Sequence, residues 1–140
     1  MTSAGRDSAG SAGLLVDTNL LVLYAVGTVN RNRIETFKRT RQYTMDDYDL
    51  LVRVLGNFEH LYTVAHVLAE VSNLTDLPGP ERLQARLVLK KTISVLNEAE
   101  MSSTRAAEDR LYQDLGLVDA AIGACSRMIS LYTSASVAKT

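Results

Sequence analysis

Short apolar runs bounded by polar residues alternate along this chain with longer stretches whose apolar positions recur every three or four residues. Leu14-Leu15-Val16 ends at Asp17-Thr18-Asn19, the pattern of a buried parallel strand closing at a polar C-terminal edge. Leu20, Leu21, Leu23, Tyr24 and Val26 predict a short buried helix, with Gly27 as its terminator. Thr44 and Asp47 have capping-box spacing, and Tyr48, Leu51, Val52, Leu55 and Phe58 continue at helical intervals, giving a helix over 45–57. Leu61-Tyr62-Thr63-Val64 is β-branched and aromatic, as a second strand would be. It runs into a helix on which Val67, Val71 and Leu74 share a stripe, placing Glu70 near that helix's start. Pro78-Gly79-Pro80 breaks the chain before a long helix over 81–97. A helix over 104–115 stops at Gly116, Asp119 opens another that reaches Met128, and 128–133 reads as a third strand. Strands alternating with helices over short connections predict an α/β domain with a parallel sheet.

Length and composition narrow this reading. The chain has 140 residues, enough for one domain, and 46% hydrophobic residues with only two prolines suffice to bury a core. Residues 1–13 are small and polar and bury too little apolar surface to offset the entropy of ordering, so a disordered leader precedes a domain over 14–140. A net charge of −1 argues against a protein that coats nucleic acid nonspecifically, and any RNA contact has to be local. Cys125, the single cysteine, has no internal disulfide partner and lies in a small-residue apolar run, which suits a buried side chain and a reducing cytoplasm. No apolar stretch approaches membrane-spanning length, so no membrane partner is expected.

Asp17, Glu70 and Asp119 are the candidate chemistry. Asp17 ends a strand, where open α/β sheets bind ligands, and the other two are carried by helices. Oxygen donors of this kind hold Mg²⁺ or Mn²⁺. Each acid also has a plain structural alternative: a turn former at Asp17, a solvated helix residue at Glu70, a helix cap at Asp119. Glycine-rich phosphate loops and a Ser/His/Asp set are absent, and Asn19 stands where a phosphotransferase using Asp17 as nucleophile would place another acid.

The segments Leu-Leu-Val-Asp17-Thr-Asn, Val-Leu-Ala-Glu70-Val-Ser-Asn-Leu and Leu-Gly-Leu-Val-Asp119-Ala-Ala-Ile resemble, in order, the three leading motifs of PIN domains. The resemblance spans residues 14 to about 134. It implies a three-layer α/β/α fold with a central parallel sheet. It also implies Mg²⁺- or Mn²⁺-dependent hydrolysis of single-stranded RNA, leaving 3′-hydroxyl and 5′-phosphate ends, as in the toxins of toxin–antitoxin pairs. Asp17, Glu70 and Asp119 match the family's catalytic, metal-binding acids, and Thr18 or Asn19 would orient Asp17 or a water. An antitoxin partner and a homodimer follow from the same resemblance.

The chain departs from the family at its end. Ser134 or Ala135 stands where PIN domains usually carry another aspartate, and the final helix and strand are missing. Asp114, with Glu108 and Asp109 nearby, is a substitute candidate. A neutral residue at 134 or 135 supplies no charge for a second cation, so a catalytically impaired PIN-like module that binds RNA or a protein partner is the alternative. Arg31, Arg33, Lys38, Arg39 and Arg41, interleaved with Phe37 and Tyr43, form a candidate RNA path of cations and stacking rings. Its counter-reading is a solvated face with Phe37 in the core. Arg82, Arg86 and Lys90 share one helical stripe, read chiefly as an exposed face, and His66 lies one turn before Glu70.

Overall fold

The computed structural model describes the backbone of residues 13–138 and the side chains of 13–127. Of the expected leader only Gly13 is within the described residues. The architecture is mixed α/β: β1 (Leu14–Leu15), α1 (Thr18–Val29), a 3₁₀ turn (Arg31–Arg33), α2 (Met45–Gly56), β2 (Leu61–Val64) and α3 (Ala65–Leu74) come first. They are followed by α4 (Glu81–Val95), β3 (Asn97–Ala99), α5 (Ser103–Ala107), α6 (Tyr112–Leu115) and α7 (Leu117–Ala138).

The sheet is parallel, in the order β1-β2-β3. Leu14 pairs with Leu61 and Leu15 with Tyr62, while Tyr62, Thr63 and Val64 pair with Asn97, Glu98 and Ala99. Val16 N–H donates to the Tyr62 carbonyl at 2.9 Å, and the Thr63 hydroxyl donates to the Val16 carbonyl at 3.2 Å. This buried side-chain bond ties the C-terminal ends of β1 and β2 together where Asp17 emerges.

The helix α1 is apolar on nearly every side, with Leu21, Val22, Leu23, Ala25 and Val26 all buried, and it packs against α2, α3 and α4. An all-round apolar helix belongs in the interior. It does not stop at Gly27 but continues to Val29, with the Asn30 N–H donating to the Val26 carbonyl at 2.9 Å. Gly27 serves packing instead: a Cβ there would lie 2.2 Å from Cδ1 of the Tyr48 ring. Tyr48 in turn holds Thr28 through a hydroxyl–hydroxyl bond of 2.9 Å. Gly27→Ala is therefore expected to destabilise the fold by about 1–3 kcal/mol through overpacking, outweighing a helix-propensity gain of about 1 kcal/mol. A urea midpoint at or above that of the parent protein would show that the ring gives way freely.

Capping at α2 follows the sequence expectation. Thr44 accepts from Asp47 N–H at 3.1 Å, and the Asp47 carboxylate accepts from Thr44 N–H at 2.9 Å. The strand expected at 128–133 is a correction, since that backbone is helical and belongs to α7. From 117 to 138 the chain has no proline and one glycine, so a helix once nucleated propagates through 128–133. The third strand is instead Asn97–Ala99, polar and exposed at its first two residues, formed by ladder pairing to β2. The helix expected over 104–115 is split into α5 and α6. Among the described residues, no helix is long and apolar enough to cross a membrane.

Candidate functional site

Asp17 leaves the sheet at the C-terminal end of β1 and caps α1, its Oδ1 accepting from Leu20 N–H at 3.1 Å. A carboxylate at a helix N-terminus is favoured by the aligned peptide dipoles. Asp17 is exposed, and a carboxylate has acceptor sites beyond the one used for capping. The next residue, Thr18, is buried, and its hydroxyl has no hydrogen-bond partner among the described residues. An unpaired buried hydroxyl costs about 1–3 kcal/mol, so a polar group directly beside Asp17 is held without its complement.

Strand β2 passes into α3 with no intervening loop, Val64 being the N-cap residue. Glu70 is the sixth residue of α3, at mid-helix rather than near its start, and half-buried. Asp119 is exposed in the first turn of α7, after Gly116 turns the chain at φ 88°. The helix α7 packs on both β2 and α3, so the segments carrying Glu70 and Asp119 are neighbours. Among the described residues, however, no three His, Cys, Asp or Glu side chains converge closely enough to hold a metal. The three acids suit a hard divalent cation in kind, and the orphan Thr18 hydroxyl suits a bound water or cation beside Asp17, yet the side chains are not drawn into a closed cage.

The other acids divide. Asp109 is taken, accepting from Leu111 N–H at 3.0 Å and pairing with Arg127. Asp114 lies exposed in α6. Ser134 and Ala135 fall on the α7 backbone, and their side chains are outside the described residues. His66 Nε2 bonds the Ser103 hydroxyl at 3.0 Å, linking α3 to α5. Cys125 is fully buried, and burial pushes its thiol pKa up, which removes it as a thiolate nucleophile.

The basic segment is placed away from Asp17. It begins where α1 ends, and twelve helical residues separate the two by about 18 Å at 1.5 Å per residue. Arg31 pairs with Asp49 at 2.8 Å, Arg33 with Glu81 at 2.7 Å and Lys38 with Asp76 at 3.5 Å. Arg39 and Arg41 are exposed and enter no ion pair among the described residues. Phe37 is buried, so its ring is not presented for base stacking, whereas Tyr43 is half-buried with its side chain packed against the core.

The Glu81 carboxyl is held below its ordinary pKa, chiefly by the hydrogen bond from the Asn30 amide at 3.1 Å, which burial opposes and to which the hydrogen bond and charge of Arg33 add. A depressed carboxyl stabilises the fold above its unfolded pKa and loses that contribution as pH falls through the folded one. Glu81→Gln should accordingly flatten the loss of stability below about pH 4, as read from urea midpoints across pH. An unchanged acid limb would count against this coupling.

Two concave sites lay beyond sequence reasoning because they are assembled from distant segments. A cavity of about 520 Å³ between α1, α2 and α4 is walled mainly by aliphatic side chains, with Lys91 its only charged lining residue. A second, of about 110 Å³, is polar and lies where α3 ends and α4 begins. No family model, curated protein or solved structure matches the chain.

Proposed function

We propose that this chain is a PIN-like domain, of three-layer α/β/α type, acting as a Mg²⁺- or Mn²⁺-dependent ribonuclease on single-stranded RNA. The observation that carries the reading is Asp17 at the C-terminal end of a parallel strand, beside the unpartnered buried hydroxyl of Thr18. Glu70 follows the adjacent strand on α3, and Asp119 opens the helix that packs on α3. Asp17, Glu70 and Asp119 would hold the cation, which supplies acidification of a water and neutralisation of charge on the scissile phosphate. Asp17 is oriented by its capping bond, and Thr18 offers a hydroxyl to the same edge. A cytoplasmic setting and a protein inhibitor belong to the same proposal and rest on the motif resemblance.

The second reading, an impaired PIN-like module that binds RNA or a protein partner, is favoured by the acids' failure to converge among the described residues. One assay separates the two: an end-labelled single-stranded RNA incubated with the purified chain and Mn²⁺, with EDTA, and with Asp17→Asn in parallel. Cleavage that needs Mn²⁺ and vanishes in the variant supports the nuclease. Equal cleavage by both proteins, or none from folded protein, overturns it.

A further inference from the structure

The geometry points to an oxyanion subsite, suited to a phosphate group, in the polar cavity between the end of α3 and the start of α4. Its walls are Ser72, Asn73, Thr75, Asp76, Arg82 and Arg86, and its volume of about 110 Å³ is on the scale of one small anion. Arg82 and Arg86 stand four residues apart on α4 and so present two guanidinium groups from one helix face. Neither enters an ion pair among the described residues, unlike Arg31, Arg33 and Lys38. Planar guanidinium forks match the oxygens of a phosphate, and the Ser72 hydroxyl and Asn73 amide add neutral donors from the opposite wall.

The carboxylates nearby are already answered. Asp76, the one acid lining the cavity, pairs with Lys38, and Glu81 in the first turn of α4 is bonded by Arg33 and Asn30. The Thr75 hydroxyl donates to the Val71 carbonyl at 3.0 Å and is not a free donor. The cavity thus has two positive charges, from Arg82 and Arg86, that enter no ion pair among the described residues, while Lys38 and Asp76 offset one another. This departs from the plain reading of Arg82 and Arg86 as a solvated stripe: the turn at 75–80 brings the end of α3 against them.

The placement also bears on RNA. Ser72 and Asn73 follow Glu70 within one turn of α3, and Asn73, three residues on, shares its face. A strand whose phosphate sat in this cavity would pass close to Glu70, and Lys38 brings part of the basic segment to the same spot. The anion site itself does not depend on the nuclease reading; only its service to an RNA strand rests on that reading.

The test is an NMR titration of the full chain in EDTA, following the backbone amides of residues 72–76 and the Nε–H of Arg82 and Arg86. Inorganic phosphate is one titrant and a single-stranded oligoribonucleotide the other, both at constant ionic strength against chloride. Saturable shifts confined to these residues are expected, with affinity lowered about tenfold by Arg82→Gln or Arg86→Gln and unaltered by Arg105→Gln on α5. Both arginines are exposed, and Arg86→Lys, which keeps the charge but loses the fork, should weaken binding without affecting folding. Response to both titrants, with phosphate competing against RNA, assigns the site to an RNA phosphate. Response to phosphate alone keeps the subsite and assigns it to a free phosphate group. Shifts that match chloride, or that persist unchanged in Arg82→Gln and Arg86→Gln, overturn the proposal, whatever the outcome of the cleavage assay.

Discussion

Asp17→Asn is expected to lower RNA cleavage by about two orders of magnitude or more while leaving the protein folded, because it removes charge and keeps the cap. Asparagine caps helices as well as aspartate does, so the bond to Leu20 N–H is retained. The stability cost should be limited to the lost attraction between carboxylate and helix dipole, about 0.3–1 kcal/mol. Asp17→Ala loses the capping bond as well, adding about 1 kcal/mol. Measured together, the pair separates the two duties of one side chain: activity should fall in both variants, and stability mainly in the second. Full Mn²⁺-dependent activity in Asp17→Asn would remove the carboxylate from the chemistry. An alanine variant as stable as the asparagine one would remove the cap from the account of α1.

The largest effect on folding is expected at Ile34, inside the segment that the charge pattern marks as a surface. Ile34 is fully buried, Phe37 lies beneath the surface with it, and the buried Thr40 hydroxyl donates to the Ile34 carbonyl at 2.7 Å. These three residues pin the stretch 34–40 onto the core at intervals of three, so that the cations between them face outward. Ile34→Ala removes transfer energy and leaves a cavity, for a loss of about 2–5 kcal/mol. Arg39→Ala, exposed on the same segment, should stay within about 0.5 kcal/mol of the parent protein. Urea denaturation of both variants checks this. A small effect at Ile34 would mean that the basic segment is only loosely attached.

The contrast between Ile34 and Arg39 shows how a local pattern misleads when tertiary contacts decide orientation. Five cations with two aromatic rings have the composition of a strand-binding surface, but Phe37 is buried, Tyr43 packs against the core, and Arg31, Arg33 and Lys38 find carboxylates 18, 48 and 38 residues away. Nothing within the segment specifies those partners. The polar cavity at Arg82 and Arg86 is the converse case, a site whose two arginines are visible as a stripe while its other wall comes from the end of another helix.

Several features were determined by the sequence alone, because short-range physics settles them. The capping pair Thr44 and Asp47, the strand at 61–64, the break at 78–80 and the place of Asp17 after an apolar run each depend on residues within one or two turns. The tertiary structure decided the remainder. Asn97–Ala99 becomes a strand because β2 offers an open ladder, not because its residues favour extension. Position 27 requires glycine because the Tyr48 ring occupies the space where a side chain would be. The three acids, each legible by its local setting, are brought to neighbouring elements by packing, and their final separation is set by how α3 and α7 lie on the sheet. A carboxylate's position along the chain is a local property, whereas its distance from two others depends on every contact that orients the elements between them.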